Sequence, residues 1–228
     1  MNGNGADIIE VKDLRKSYVQ GEKKLEVLSG VTFSLRRGEI ACLMGESGAG
    51  KTTLFNLLGL LDNPDQGNIV FNGRETSSLN ANERAAFRNR SIGFLFQFHF
   101  LLSDFTALEN VMMPGLISGQ PREMLEEKAA MLLKRVGLES RGHHHPKELS
   151  GGEQQRVAMV RSLLNDPLIV LADEPTGNLD ERNSDNFINL AFEMVRETGR
   201  TFFIATHSQR LAARCDRVFH LAGGKVGN

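Results

Sequence analysis

Eight consecutive residues, Gly45-Glu46-Ser47-Gly48-Ala49-Gly50-Lys51-Thr52, constrain this chain more than anything else in it. They fit the pattern G-x-x-x-x-G-K-[ST]. Before them runs the short apolar stretch Glu39–Met44; after them Lys51–Leu61 carries Leu54, Leu57, Leu58 and Leu61 with the period of one helix face. Strand, glycine turn and helix is the context this pattern needs. Glycines let backbone N–H groups curl around phosphate oxygens with no side chain in the way. The helix start adds partial positive charge. Lys51 is set to reach the β- and γ-phosphates of a nucleotide, and the Thr52 hydroxyl is a hard oxygen ligand for Mg²⁺.

The rest of the chain supplies an α/β frame for such a loop. Ile8–Leu14 and Val27–Leu35 alternate apolar and polar, as half-buried strands do, with a polar turn at Gln20–Lys24. They predict an N-terminal antiparallel β subdomain. Gly67–Phe71 is a further strand before an Asn72–Gly73 turn, Asn82–Asn89 a short helix and Ser91–Phe96 a strand. From 98 to 150 the pattern turns helical, over Ala107–Ile117 and Arg122–Val136, which predicts a helical insert. Strand and helix then alternate again: helix Gly151–Asn165, strand Leu168–Ala172, helix Glu181–Glu197, strand Thr201–Ala205, a turn of helix at Gln209–Arg214 and strand Arg217–Leu221. That order predicts a doubly wound phosphate-loop core within a single domain spanning 1–228.

Composition matters for what it excludes. With 27 Lys+Arg against 28 Asp+Glu in 228 residues the net charge is −1, so bulk charge recommends no nucleic-acid partner. The two cysteines, Cys42 and Cys215, make no disulfide framework, and a reducing compartment is expected. No apolar run reaches the length of a membrane span, and Met1 to Asp7 is polar with no apolar leader segment. Cys42 reads as a small core residue. His143-His144-His145 reads as a solvated loop, because neighbouring imidazoles do not converge on one ion.

A second centre of chemistry follows Leu168–Ala172, an apolar run suited to a strand buried on both faces. It ends in Asp173-Glu174. Ligands in open α/β sheets sit outside the carboxyl ends of strands. There Asp173 suits Mg²⁺, and Glu174, pointing elsewhere along the turn, suits an attacking water. Phosphates, a metal and a water-orienting group are the parts phosphoryl transfer needs.

Leu149-Ser150-Gly151-Gly152-Glu153-Gln154-Gln155 resembles the signature segment of the ATP-binding-cassette (ABC) ATPases. Other motifs of that family stand in order around it, and the resemblance runs from about Ile8 to Lys225. It implies that Tyr18, the only tyrosine, stacks on adenine. It implies that Gly45, Glu46, Ser47, Gly48, Ala49, Gly50, Lys51, Thr52 and Thr53 hold the ATP phosphates. It makes Gln97 the glutamine that serves Mg²⁺ with Thr52 and Asp173. It makes Glu174 the residue that orients or deprotonates water, Asn178-Leu179-Asp180 a D-loop, and His207, after Thr206, the histidine that holds γ-phosphate and water. Two copies then pair head to tail, so that Ser150, Gly151 and Gly152 of one cap the γ-phosphate on the other.

Finer matches lie in Gln97–Leu102, Phe105–Val111 with Pro114, and Ala172–Ser184. They resemble the lipoprotein-releasing members of the family, with macrolide-export and cell-division members sharing much of the string. The resemblance implies an ATPase subunit that is peripheral at the cytoplasmic face of the inner membrane. Its partners would be a second copy and two polytopic membrane subunits, which touch part of the Phe- and Leu-rich segment Phe98–Pro114. Macrolide-export and cell-division roles, and a non-transport role on nucleic acid or ribosomes, are the competing readings. The sequence departs from the pattern at Phe100, where a histidine is common, at Glu46 and Ala49 in the loop, and at Ser208, where Asp usually follows the histidine.

Overall fold

The computed structural model describes residues 7–21 and 23–227. The polar opening from Met1, read above as carrying no leader, lies outside them except for Asp7. Along the chain run β1 (Asp7–Gln20), β2 (Lys23–Arg36), β3 (Ile40–Met44), α1 (Lys51–Leu58), β4 (Gln66–Phe71), β5 (Arg74–Glu75), α2 (Ala81–Ser91) and β6 (Ile92–Phe96). Then come α3 (Ala107–Ile117), α4 (Arg122–Arg135), α5 (Gly151–Leu163), β7 (Ile169–Asp173), α6 (Glu181–Glu197), β8 (Thr201–Ala205), α7 (Gln209–Ala212), β9 (Arg217–Ala222) and β10 (Lys225–Gly227). The chain divides into two compact units, Met1–Ala85 with Gly199–Asn228, and Ala86–Thr198.

The first unit holds an antiparallel sheet in the order β2-β1-β4-β5 and the neighbouring strands β10-β9-β3-β8. β3 runs parallel to both β8 and β9, with Leu43 opposite Ala205 and Phe219. All five residues of β8 and Ile40–Leu43 of β3 are buried, which is why β3 reads as an apolar run and β8 as one after Thr201. Phe33, Phe55, Phe203 and Phe219 pack ring to ring at 5.1–5.9 Å between centroids. Rings at such separations contribute packing beyond the area they bury.

The second unit holds the parallel pair β6–β7, with Phe96 opposite Asp173, and helices α3 to α6. Residues 98–150 contain α3, α4 and two short 3-10 turns at Glu139–Arg141 and Pro146–Glu148. The bounds of α3 and α6 agree with the sequence reading because strong caps set them. The Thr106 side chain accepts from the Glu109 N–H, the Glu109 carboxylate accepts from the Thr106 N–H, and Asp180 accepts from Asn183.

Five elements depart from expectation. β1 and β2 extend to Gln20 and back to Lys23, beyond the alternating stretches. Val19 and Leu25 in that outer hairpin are 78% and 56% exposed, so no buried face imposes alternation there. α1 stops at Leu58, since Gly59 ends it and Leu60 takes φ +55°. β5 and β10 are too short to show a period. A tight turn builds each: Asn72-Gly73 and Gly223-Gly224, all at positive φ.

Candidate nucleotide-binding and catalytic site

At the carboxyl end of β3, Gly50 occupies the N-cap of α1 at φ +102°, and no side chain caps the helix. The amides of the first turn therefore face the loop, the arrangement that receives an anion. The chain's own packing demands glycine at two positions. A Cβ on Gly50 would meet Val27 Cγ1 at 2.9 Å, and one on Gly45 would meet the Leu221 carbonyl oxygen at 2.6 Å. Lys51 Nζ donates to the carbonyls of Gly45 at 2.7 Å and Glu46 at 3.0 Å, so its charge already lies inside the loop. Glu46, Ser47 and Gly48 are exposed, and Glu46 and Ala49 contribute backbone to the turn through the Ala49 N–H to Glu46 carbonyl bond.

Tyr18 lies in the β1–β2 hairpin of the same unit, 39% exposed. Its hydroxyl donates to Asp62 Oδ2 at 3.0 Å. Burial and the Asp62 bond push its phenol up from the ordinary value, and the Thr53 hydroxyl beside it opposes the shift. Asp62 and its partner Lys16 have no counterpart among the residues marked by sequence. His207 follows β8 as Tyr18's unit closes: the Thr206 N–H donates to the Leu43 carbonyl, so His207 and the phosphate loop leave neighbouring parallel strands at the same edge. Ser208, where an Asp is usual, caps α7 by accepting from Leu211 at 3.3 Å.

In the second unit, Gln97 follows β6 and Asp173 ends β7, at one edge of that parallel pair. Gln97 Nε2 donates to Asn178 Oδ1 at 3.2 Å, and Asn178 Nδ2 donates to the Gln97 carbonyl at 2.9 Å, which turns Gln97 Oε1 away from Asn178. Glu174 sits at φ +46°, a left-handed conformation that costs a non-glycine residue about 1–3 kcal/mol. Such strain re-aims the carboxylate relative to its neighbour Asp173. The helix α5 braces this edge from inside: Gln155, 1% exposed, donates from Nε2 to the Pro175 carbonyl at 2.6 Å. Thr52 in the first unit, and Gln97 and Asp173 in the second, each carry a hard oxygen, so the chemistry of each donor by itself suits Mg²⁺.

Ser150 is the N-cap of α5. Its hydroxyl accepts from the Glu153 N–H at 3.3 Å and donates to Glu153 Oε2 at 2.9 Å. Arg141 Nε meets the other carboxylate oxygen at 3.2 Å. The Ser150 N–H bond, then the Ser150 hydroxyl and Arg141, hold Glu153 below the usual carboxylate range against burial. A Cβ on Gly151 or Gly152 would meet nothing within 4 Å. The chain's own packing does not require these two glycines.

Phe98–Pro114 splits into two kinds of surface. Phe98, Phe100, Leu102 and Phe105 are exposed, at 63%, 64%, 44% and 39%, whereas Ala107, Asn110, Val111 and Met112 are fully buried. The exposed part is held firmly. Asn110 bonds Leu102 through both its N–H and its carbonyl, and Arg161 donates to the His99 and Phe100 carbonyls at 2.7 Å each. Burial lowers the His99 imidazole, with the Arg161 charge adding to the effect.

The family model described as "ABC transporter" matches residues 28–177. Among curated proteins, the chain is 48% identical to the lipoprotein-releasing system ATP-binding protein LolD of Porphyromonas gingivalis, over 95% of this chain and 97% of that one. It is also 48% identical to LolD 2 of Chlorobaculum tepidum, over 98% and 94%. Among solved structures, a dimeric post-hydrolysis state of the ATP-binding cassette MJ0796 bound to ADP and Pi is similar at TM-score 0.88 and 35% identity, covering 96% of this chain and 97% of that one.

Proposed function

Since the chain belongs to the ABC transporter family of ATP-hydrolysing subunits, we propose that it drives the release of lipoproteins from a membrane, working as a pair of copies attached to two membrane-spanning subunits. It binds ATP and hydrolyses it to ADP and phosphate, and hydrolysis is coupled to transport. Among the described residues no helix is long and apolar enough to cross a membrane. The chain is therefore proposed to sit at the cytoplasmic face of the inner membrane through those partners.

Each site residue has a task in this reading. Tyr18 stacks on the base. The amides of Gly45, Glu46, Ser47, Gly48, Ala49, Gly50, Lys51, Thr52 and Thr53 hold the phosphates, and Lys51 exchanges its two carbonyl bonds for phosphate oxygens. Thr52, Gln97 and Asp173 would hold Mg²⁺, which when bound neutralises phosphate charge. Glu174 orients the attacking water and takes its proton, and His207 donates to the γ-phosphate side of the same reaction. Ser150, Gly151 and Gly152 serve the nucleotide of the second copy, whose approach their bare surface admits.

The transport half of the reading is carried by the apolar loop that directly follows Gln97. Phe98 and Phe100 are 63% and 64% exposed, yet sit on a backbone fixed by Arg161 and Asn110. Large apolar side chains displayed on a rigid loop suit a partner surface. A membrane subunit seated there senses nucleotide state through Gln97. Glu174→Gln tests the catalytic assignment: ATP binding is expected to persist while turnover falls by about 10²–10⁴-fold. Near-normal turnover would remove Glu174 from that role.

A further inference from the structure

Tyr18 lies exposed near the end of its hairpin, where the cross-strand side chains do not enclose its ring. Its cross-strand neighbour Leu25 is itself 56% exposed, and the adjacent Val19 78%. What fixes the ring comes from 44 residues further along the chain, where Asp62 Oδ2 accepts from the Tyr18 hydroxyl at 3.0 Å. The other oxygen, Asp62 Oδ1, accepts from Lys16 Nζ at 2.9 Å, and Lys16 Nζ also donates to the Asn63 carbonyl at 2.7 Å. Lys16 is 8% exposed, a burial that lysine tolerates only when paired. Its ammonium lies over the Tyr18 ring, 5.1 Å from the centroid. One face of the ring is thus covered by a cation, and the phenol end is tied.

The turn that carries Asp62 is strapped in place. Arg84 Nη2 donates to the Asp62 carbonyl at 3.0 Å, the Ser17 N–H donates to Asp65 Oδ2 at 2.8 Å, and the Asp65 N–H donates to the Arg15 carbonyl at 2.9 Å. Burial opposes ionisation of Asp62, but the bonds from Lys16, the Asn63 N–H and Tyr18 hold it charged, below the ordinary carboxylate range. The Lys16–Asp62 pair therefore stays intact at neutral pH.

We propose that Asp62, with Lys16, is the positioning residue of the base subsite: it locks the Tyr18 ring in one pose and leaves a single ring face to receive adenine. The proposal rests on the reading of Tyr18 as the base-stacking residue. A ring ordered before binding spares the complex the entropy of ordering it. Asp62 touches no nucleotide in this scheme: its effect passes through the phenol, because Lys16 has a second tie, to the Asn63 carbonyl, that holds it over the ring without Asp62.

The chain itself supplies the reporter, since Tyr18 is its only tyrosine and it has no tryptophan. The full-length chain is titrated with ATP and with inorganic tripolyphosphate, which has no base. In Asp62→Asn the ATP dissociation constant and KM are expected to rise about two- to tenfold, the cost of immobilising one side chain, with the loss in KM rather than kcat. Tripolyphosphate affinity stays at the wild-type value. The phenol, titrated by its phenolate absorbance, moves down towards its ordinary value. Tyr18→Phe, which keeps the ring and the Lys16–Asp62 pair, loses ATP affinity to the same degree, and adding Asp62→Asn to it costs nothing more. Should Asp62→Asn fail to fold, Tyr18→Phe carries the test with the same ATP and tripolyphosphate titrations. Unchanged ATP affinity in both single variants, or additive losses in the double variant, overturns the proposal. Tyr18→Ala separates the two readings: if it binds ATP as tightly as wild type, the stacking role of Tyr18 is wrong and the positioning role falls with it.

Discussion

Two helices begin with glycine beside the proposed chemistry, and they begin for opposite reasons. At α1 the glycines answer to the chain's own structure. Gly50 stands at φ +102°, and a side chain there would strike Val27. No side chain caps that helix, and the Lys51 ammonium is drawn into the loop by two carbonyls. At α5 the helix is closed by a reciprocal cap between Ser150 and Glu153, while Gly151 and Gly152 border open space. Each of those glycines costs a helix about 1 kcal/mol relative to alanine. An internal demand explains the first start. Nothing within 4 Å of either glycine explains the second, which accords with the proposal that it serves the nucleotide of a second copy.

The sharpest way to break this contrast is at the charge. Lys51→Ala removes a donor of charge-assisted bonds and should weaken ATP binding by about 10–100-fold with the fold intact, read by nucleotide titration. Gly50→Ala comes next. It forces a side chain into the left-handed region and onto Val27, so unfolding should become easier by about 1–3 kcal/mol in chemical denaturation. Unchanged stability would show that the loop relaxes freely around that position. Gly152→Ala has the reverse sign: the chain alone should gain up to about 1 kcal/mol, while turnover drops.

The smallest effect is one of pH. Glu153 is held below its ordinary range chiefly by the Ser150 N–H, and Glu109 by the Thr106 N–H. A carboxylate with a folded value below its unfolded one stabilises the fold above the unfolded value, and that contribution is lost as pH falls through the folded one. The starts of α5 and α3 should each lose about 0.3–1 kcal/mol on acidification, seen as faster amide exchange there. α1 has no acidic residue in its first turn, so its start should show no such loss.

How much of this was legible in sequence depends on how far apart the cooperating residues lie. The phosphate loop was legible because its parts are contiguous. The helix α6 was legible because Asp180 caps it from the adjacent position. Catalytic candidates Asp173 and Glu174 were marked by the apolar strand before them, although the left-handed backbone of Glu174 was not. The clamp on Tyr18 joins residues 44 and 46 apart, and the tie from Arg161 to the Phe100 carbonyl spans 61, with no period or motif to announce either. The Ser150 cap lies within one turn of its helix, and the structure adds that its hydroxyl also donates to the Glu153 carboxylate.

The claim that the α5 glycines serve a second copy is tested most directly by sedimentation of the Glu174→Gln chain with ATP, with and without Gly152→Glu. The Glu174→Gln chain should double in mass when ATP is added. The added Gly152→Glu should hold it at the mass of one chain while each chain still binds ATP. A doubled mass that survives Gly152→Glu, or ATP binding lost together with the dimer, would contradict a second site completed from outside.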